Sequence, residues 1–471
     1  MRAEFRQVVI ASVGLLLSGA LAIGQLPTTT APVPNPGPTV TEPSAPEATA
    51  PVVPEPTGEA AAAPENPYAG DLRTRLRALG DPLGLRSRAA DRGITFDLFA
   101  TQFYQGIASG GQERTFPFGG KIDYLLNIDG QKLGLWQGLF VNLHAETRYG
   151  RSTNEIDGLI APSNLPLNFP REDANITSIT GLKLTQALSE SFALYAGKIN
   201  TLDEYPLRYS PGLGSNKPGL GGFLNTSLVF NPIAARTIPY AAAGAGFAVL
   251  REGEPLFTLS VFDPEERATS DLSGLYNRGV VLVPDLVLRT QFLGRPGVYN
   301  FGGTYSSAKY RSFDPAAYLN IPFIRSAVAR TNTAPQETGS WSLYANFYQS
   351  LWADQCDNKR NWGLFGQFGL SDGNPNPVRF VANGGIGGHS MIPGRKLDTF
   401  GIGYFYLGLS DNFKSLARPL QPQRDEYGVE LFYNIAITPW ARLTTDLQIA
   451  RPSTIGVDTA IIPGLRFQLL F

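Results

Sequence analysis

Asn142, His144 and Glu146 stand at every second position of Leu139–Arg148. In an extended chain that spacing sets an amide, an imidazole and a carboxylate on one face. Such a set could serve as a base, as ligands, or as the lining of a wet passage, and His144 is read here as a wall residue. The other chemical candidates are weaker. Gly369-Leu370-Ser371-Asp372-Gly373 has the letters of a hydrolase elbow, but Asn374-Pro375-Asn376-Pro377 follows where that elbow needs a helix, so the stretch reads as a turn. His389 closes a glycine-rich run, Gly384-Gly385-Ile386-Gly387-Gly388, that lacks phosphate-loop spacing. The paired acids Asp203-Glu204, Glu265-Glu266 and Asp425-Glu426 mark loops, and none has the separation that glycosidase chemistry requires. Cys356 lies in a polar loop without a partner. One cysteine excludes a disulfide framework and a cysteine-rich zinc site, and two histidines leave little for a metal centre. No catalytic residue, metal or cofactor is expected. A net charge of −1 in 471 residues gives no support for nucleic-acid binding.

The elements that must carry these residues divide the chain into four parts. Residues 1–22 read as a signal peptide: Arg2 and Arg6, the apolar run Val8–Leu17, and Ala20-Leu21-Ala22 for cleavage. Residues 23–67 read as a disordered linker. This stretch holds twelve prolines and five glutamates, with no lysine, arginine or aromatic residue, and cannot bury enough surface to offset chain entropy. Residues 68–93 read as a short helical pre-barrel segment. Leu72, Leu76 and Leu79 have helical spacing, and Asp81 precedes Pro82 as a cap for a helix that ends at Asp91-Arg92-Gly93. From residue 94 to 471 the apolar period becomes two.

That alternation is clearest near the end. Tyr427, Val429, Leu431, Tyr433, Ile435 and Ile437 face one way, with Glu430 and Asn434 opposite. Leu443, Thr445, Leu447 and Ile449 oppose Arg442, Thr444, Asp446 and Gln448, and the last strand sets Leu465, Phe467, Leu469 and Phe471 against Arg466 and Gln468. Further strands are expected at Leu139–Arg148, Ile179–Leu188, Ser191–Ile199, Tyr240–Leu250, Leu256–Phe262, Asp285–Leu293, Gly297–Tyr305, Trp341–Leu351, Trp362–Leu370 and Thr399–Leu409.

Alternation fits either a sandwich or a membrane barrel. Four features favour the barrel: the export signal, full charges in mid-strand on the polar faces (Asp97, Glu146, Glu430, Arg442, Asp446, Arg466), aromatics near strand ends, and a terminal phenylalanine. The fold class expected is all-β, a transmembrane antiparallel barrel of about 16 strands, which allots about 24 residues to each strand and its connection. Ile156–Ala174 and Leu202–Pro239 are expected as long loops.

Several motifs resemble the OprB-type carbohydrate-selective porins of bacterial outer membranes. They are Gly80-Asp81-Pro82-Leu83-Gly84-Leu85-Arg86 with Asp91-Arg92-Gly93-Ile94, Lys132–Trp136, Phe223–Ser227, Val261-Phe262-Asp263, Gly302–Ser307, Gly369–Pro377 and Phe432-Tyr433-Asn434 with Thr438-Pro439-Trp440. The resemblance implies passive diffusion of sugars through a water-filled lumen narrowed by inward loops. It points to Asn142, His144, Glu146, Lys198 and Arg208 as lumen or constriction residues, with Lys198 and Glu146 as a transverse charge pair. The partners it implies are sugars as solutes, outer-membrane lipid, and the barrel-assembly machinery through Phe471. Contact of the linker with the cell wall and a homo-oligomer stay open. So do two other functions: a general small-solute porin, and a structural envelope protein tethered by the proline-rich extension.

Overall fold

The computed structural model describes residues 68–471 except 172–173, 204–221, 293, 319–333, 356 and 358–359. The expected signal peptide, the linker, Arg208 and Cys356 lie outside the described residues. Strands follow in the order β1 (Ile94–Gln105), β2 (Ser109–Gly111), β3 (Phe118–Asp129), β4 (Leu139–Gly150), β5 (Ile176–Ser189), β6 (Phe192–Asn200), β7 (Ala241–Arg251), β8 (Glu254–Phe262) and β9 (Val281–Phe292). They continue with β10 (Arg295–Arg311), β11 (Gln336–Ala353), β12 (Asn361–Ser371), β13 (Val378–His389), β14 (Thr399–Leu409), β15 (Glu426–Thr438), β16 (Ala441–Arg451) and β17 (Asp458–Leu470). Each long strand pairs antiparallel with its neighbour in sequence, and β1 pairs with both β3 and β17. The sheet therefore closes. The three-residue β2 adds only a short rung to β17, so the ring has sixteen strands.

Burial follows the alternation in a sense opposite to that of a water-soluble sheet. On β15 the polar Glu430 and Asn434 are fully buried, while Ile437 is 59% exposed on the other face. On β12, Gln367 is buried between the exposed Phe368 and Leu364. Polar side chains inside and apolar ones outside are what a lipid-facing wall around a polar bore requires. Short turns join the strands at the end that carries both termini of the barrel. The long connections, 151–175 and 201–240 among them, lie at the other end.

Two of the sixteen ring strands escape the sequence reading. On β13, Gly384, Gly385, Gly387 and Gly388 give little strand propensity, so the stretch resembles a loop until its neighbours pair with it. On β3 the apolar Leu125 sits in register between Asp97 and His144 and blurs the alternation. Asp71–Leu79 forms turns rather than the expected helix. The helix that does form is α1, Leu85–Asp91, preceded by a 3-10 turn at Pro82–Gly84. Gly84, at φ 67°, makes the left-handed step between the two. The Asp81 carboxylate reaches past the turn and accepts the Arg86 amide at 2.9 Å.

This pre-barrel segment lies across the closing seam. Ala78 N donates to Leu470 O at 2.7 Å, and Trp440 Nε1 donates to Leu72 O at 2.8 Å. Arg77 Nε meets Asp97 of β1 at 2.6 Å, and Arg86 donates to Phe96 O at 2.6 Å and to Phe471 O at 3.3 Å. One segment thus grips the first and last strands together.

Candidate functional site

The two longest connections fold into the bore. In the first, Ile160 N and Ala161 N donate to the two oxygens of Glu426 at 2.7 and 2.9 Å. Gln448 of β16 donates to Ser163 O at 2.8 Å. In the second, Leu224 N and Asn225 N donate to the two oxygens of Glu430, the latter at 2.9 Å, and Arg466 of β17 donates to Gly222 O at 2.9 Å. Wall acids therefore take amides that a loop cannot satisfy for itself. The loops also bond to each other, Leu165 N to Leu224 O and Thr226 N to Pro162 O, each at 2.9 Å.

Local sequence shapes the second loop for this role. Asn225 caps the short helix α2, Thr226–Val229, by accepting the Ser227 amide at 3.0 Å. Asn231 caps the 3-10 turn Pro232–Arg236 and also donates to Asn346 Oδ1 on β11 at 3.0 Å. Asn346 donates to Asn300 at 2.8 Å, and Asn300 to Asp285 at 2.6 Å, so an amide ladder crosses β11, β10 and β9. Phe223 packs its ring 5.0 Å from Phe432, edge-on, and 5.4 Å from Phe365.

A second polar cluster lies on β3 and β4. His144 Nε2 is 3.1 Å from Asp123, and its Nδ1 is 2.7 Å from Asp203 in the second loop. Lys121 bridges Asp123, at 3.2 Å, and Glu146. Glu146 also receives the Tyr240 hydroxyl and the Asn200 amide, the latter at 3.2 Å. Asp123, His144 and Glu146 offer ligand atoms within 4.8 Å of one another, but the Lys121 ammonium already contacts both carboxylates and offsets part of their charge. The arrangement ties the wall to the start and end of the loop through Asp203 and Tyr240.

The structure places the expected residues unevenly. Asn142, His144 and Glu146 share the inner wall of β4. His144 and Glu146 are buried, whereas Asn142 is partly exposed and donates to the Asn127 carboxamide oxygen at 2.7 Å. Lys198 does not pair with Glu146. Its register partner is the outward Leu182, and its ammonium donates to Ala268 O at 3.1 Å and Ser270 O at 3.4 Å in the loop after β8. The cation on Glu146 is Lys121 instead. Lys121 and Asp123 went unseen because β3 was not read as a strand, although Ile122 and Tyr124 between and beside them carry the period-two signal. Glu426 was read as half of a loop acid pair, and nothing in its spacing names a backbone amide as its partner. Ser371 of the elbow-like stretch ends β12, donates to Val378 O at 2.6 Å and is followed by a turn, as its prolines predict.

Residues 119–471 match the family model described as carbohydrate-selective porin, OprB family. The chain belongs to the OprB family. Porin B of Pseudomonas aeruginosa is 25% identical over 225 residues, 42% of this chain and 47% of that protein, so the match spans about half the length of that relative. The high-pH structure of Pseudomonas putida OprB superposes with a TM-score of 0.72 at 19% identity, covering 85% of this chain and 99% of that one. The low-pH structure gives 0.52 at 17% identity with the same coverage. At these identities the likeness is one of fold. This OprB-family barrel has the outer-membrane architecture in which long loops face the exterior and short turns the periplasm.

One loop acid gives this OprB-family porin a pH signature. Burial pushes the Asp157 carboxyl up to about 8, with Glu426 adding to the rise and hydrogen bonds from Ser163 and Leu159 opposing it. Between the ordinary carboxylate range and about 8, the folded chain holds a proton that the unfolded chain has lost. Asp157 therefore contributes stability that is complete at low pH and is lost as pH rises through about 8. Thermal denaturation in detergent should show the first loop loosening to protease across that window. Asp157→Asn should flatten the dependence, and an unchanged slope in the variant would assign it to another group.

Proposed function

We propose that the protein lets carbohydrates diffuse passively across the outer membrane through a water-filled lumen narrowed by its two inward loops. The observation that carries this reading is the anchoring of both loops to the inner wall by Glu426 and Glu430, which holds a polar constriction at defined positions. Thr95, Asn127 and Asn142 lie in one inward register row and stay partly exposed. Amides and hydroxyls placed so replace sugar–water hydrogen bonds as a solute passes, and binding stays weak enough for exit because no single contact is strong. Asn142 is assigned to this solute path, while His144 and Glu146 position the second loop.

Planar-bilayer conductance tests the proposal. Added saccharide is expected to interrupt the current in a concentration-dependent way, and Asn142→Leu to weaken the interruption without closing the channel. Conductance indifferent to every saccharide, with equal liposome swelling by sugars and by charged solutes of the same size, would replace carbohydrate passage with general diffusion.

A further inference from the structure

The lipid-facing wall of β11 to β15 is not uniformly filled. Phe347, Gly366, Gly384, Tyr404 and Val429 form one outward register row. Phe347 lays its ring over Gly366, whereas no side chain covers Gly384: a Cβ there would meet backbone alone, the Phe365 carbonyl oxygen at 3.2 Å and the Gly366 Cα at 3.8 Å. The result is an apolar groove of about 360 Å³ whose walls include Leu364, Ile386, Ile402 and Tyr404. Its size falls at the lower end of ligand pockets, roughly 300–1,000 Å³.

The loop end of this groove is cationic. Two residues beyond Val429, Tyr427 pairs in register with Arg451, whose guanidinium donates to the Tyr427 hydroxyl at 2.9 Å and lies 5.7 Å from its ring centroid. Tyr406 stacks on Tyr427 with 6.3 Å between centroids, and Phe380 stacks on Tyr406 at 5.5 Å. Arg451 is exposed. Arg424, half-buried, donates to Pro452 O at 3.0 Å and to Val457 O at 2.8 Å in the connection that follows Arg451, which sets the two guanidinium groups on one end of the wall. The nearby Asp425 is already engaged by Lys414 at 2.6 Å and by the Tyr406 hydroxyl at 2.7 Å, and Asp458 is the other acid felt by Arg424. An aromatic shelf with exposed positive charge, set directly above a greasy groove, matches a molecule with an anionic head and a hydrocarbon tail.

We propose that this face binds one anionic phospholipid at the loop end of the barrel, its head on Arg451 and Arg424 and an acyl chain in the groove over Gly384. A second copy of the chain would fill the groove but leave these cations without an anionic partner.

Native mass spectrometry of the full chain released from nanodiscs made of equal parts phosphatidylglycerol and phosphatidylcholine tests the assignment. The wild type is expected to retain one lipid, with a preference of roughly fivefold for phosphatidylglycerol. Arg451→Gln should abolish the preference while leaving conductance unchanged. Gly384→Leu should lower retention of both lipids, and Ile402→Trp, on the exposed wall of the groove, does the same where Gly384→Leu fails to fold. A wild type without preference, a preference surviving Arg451→Gln, or a two-chain mass lost in Ile402→Trp would each overturn the proposal.

Discussion

Replacing Glu430 by alanine is expected to enlarge the conductance of the channel without unfolding the barrel. Glu430 accepts the amides of Leu224 and Asn225, residues that follow it into the bore from more than two hundred positions earlier in the chain. Removing the carboxylate orphans both donors, at about 1–3 kcal/mol each. The β14–β15 and β15–β16 ladders use backbone groups and survive the change. The cost therefore falls on the docked state of the loop, which leaves the wall. Single-channel recordings should show a larger unit current and weaker saccharide interruption in Glu430→Ala, with Glu430→Gln between the two because one acceptor oxygen remains. A current and an interruption both unchanged in Glu430→Ala would mean that Arg466 and the Asn231–Asn346 contact hold the loop by themselves.

The second large effect is at Lys121. This ammonium is the cation shared by Asp123 and Glu146, both buried on the inner wall. Lys121→Met leaves two carboxylates in a dry site, with His144 3.1 Å from Asp123 as the nearest compensating group. Breaking a buried pair in this way costs about 3–5 kcal/mol, far more than the pair itself contributes. The expected readout is a fall in the temperature at which the compact form is lost on unheated gels. Neutralising the acids as well, in Lys121→Met with Asp123→Asn and Glu146→Gln, should restore most of it. If the triple variant is as unstable as the single one, the lysine stem and its packing matter, not its charge.

Both predictions rest on residues that the sequence made visible to different degrees. The face of Glu430, Asn434, Asp446 and Arg466 is plain in the period-two pattern, because each is a full charge or amide with a large apolar residue beside it. Membrane geometry turns that contrast into an inward direction, and the fold follows from it. The partner of Glu430 is another matter. A backbone amide leaves no mark in the residue types of Leu224 or Asn225, so the clamp becomes visible only once both elements share a bore. Lys121 was hidden for a different reason: its strand carries Leu125 on the polar side, where the wall meets an apolar patch with Phe99 and Leu470. The charge pair expected of Lys198 does not form because Lys198 shares the outward parity of Leu194 and Ala196, opposite the outward Leu182. Asp71–Leu79 shows the reverse limit, where leucines at helical spacing pack as turns because the barrel end offers them specific carbonyls and an indole instead.

The segment gripping the seam has a consequence for how the molecule is made. Its acceptors at Leu470 and Phe471 lie at the end of the final strand, while its donors at Ala78 and Arg86 come ahead of the first. Those bonds span nearly the whole chain and form only when the final strand has arrived. A polypeptide broken off early, or stalled with its ring ajar, has nothing for Arg86 to hold, and its leading end stays open to periplasmic proteases. In the closed ring Ala78 and Arg86 are engaged, so the hold on that segment depends on the ring having closed.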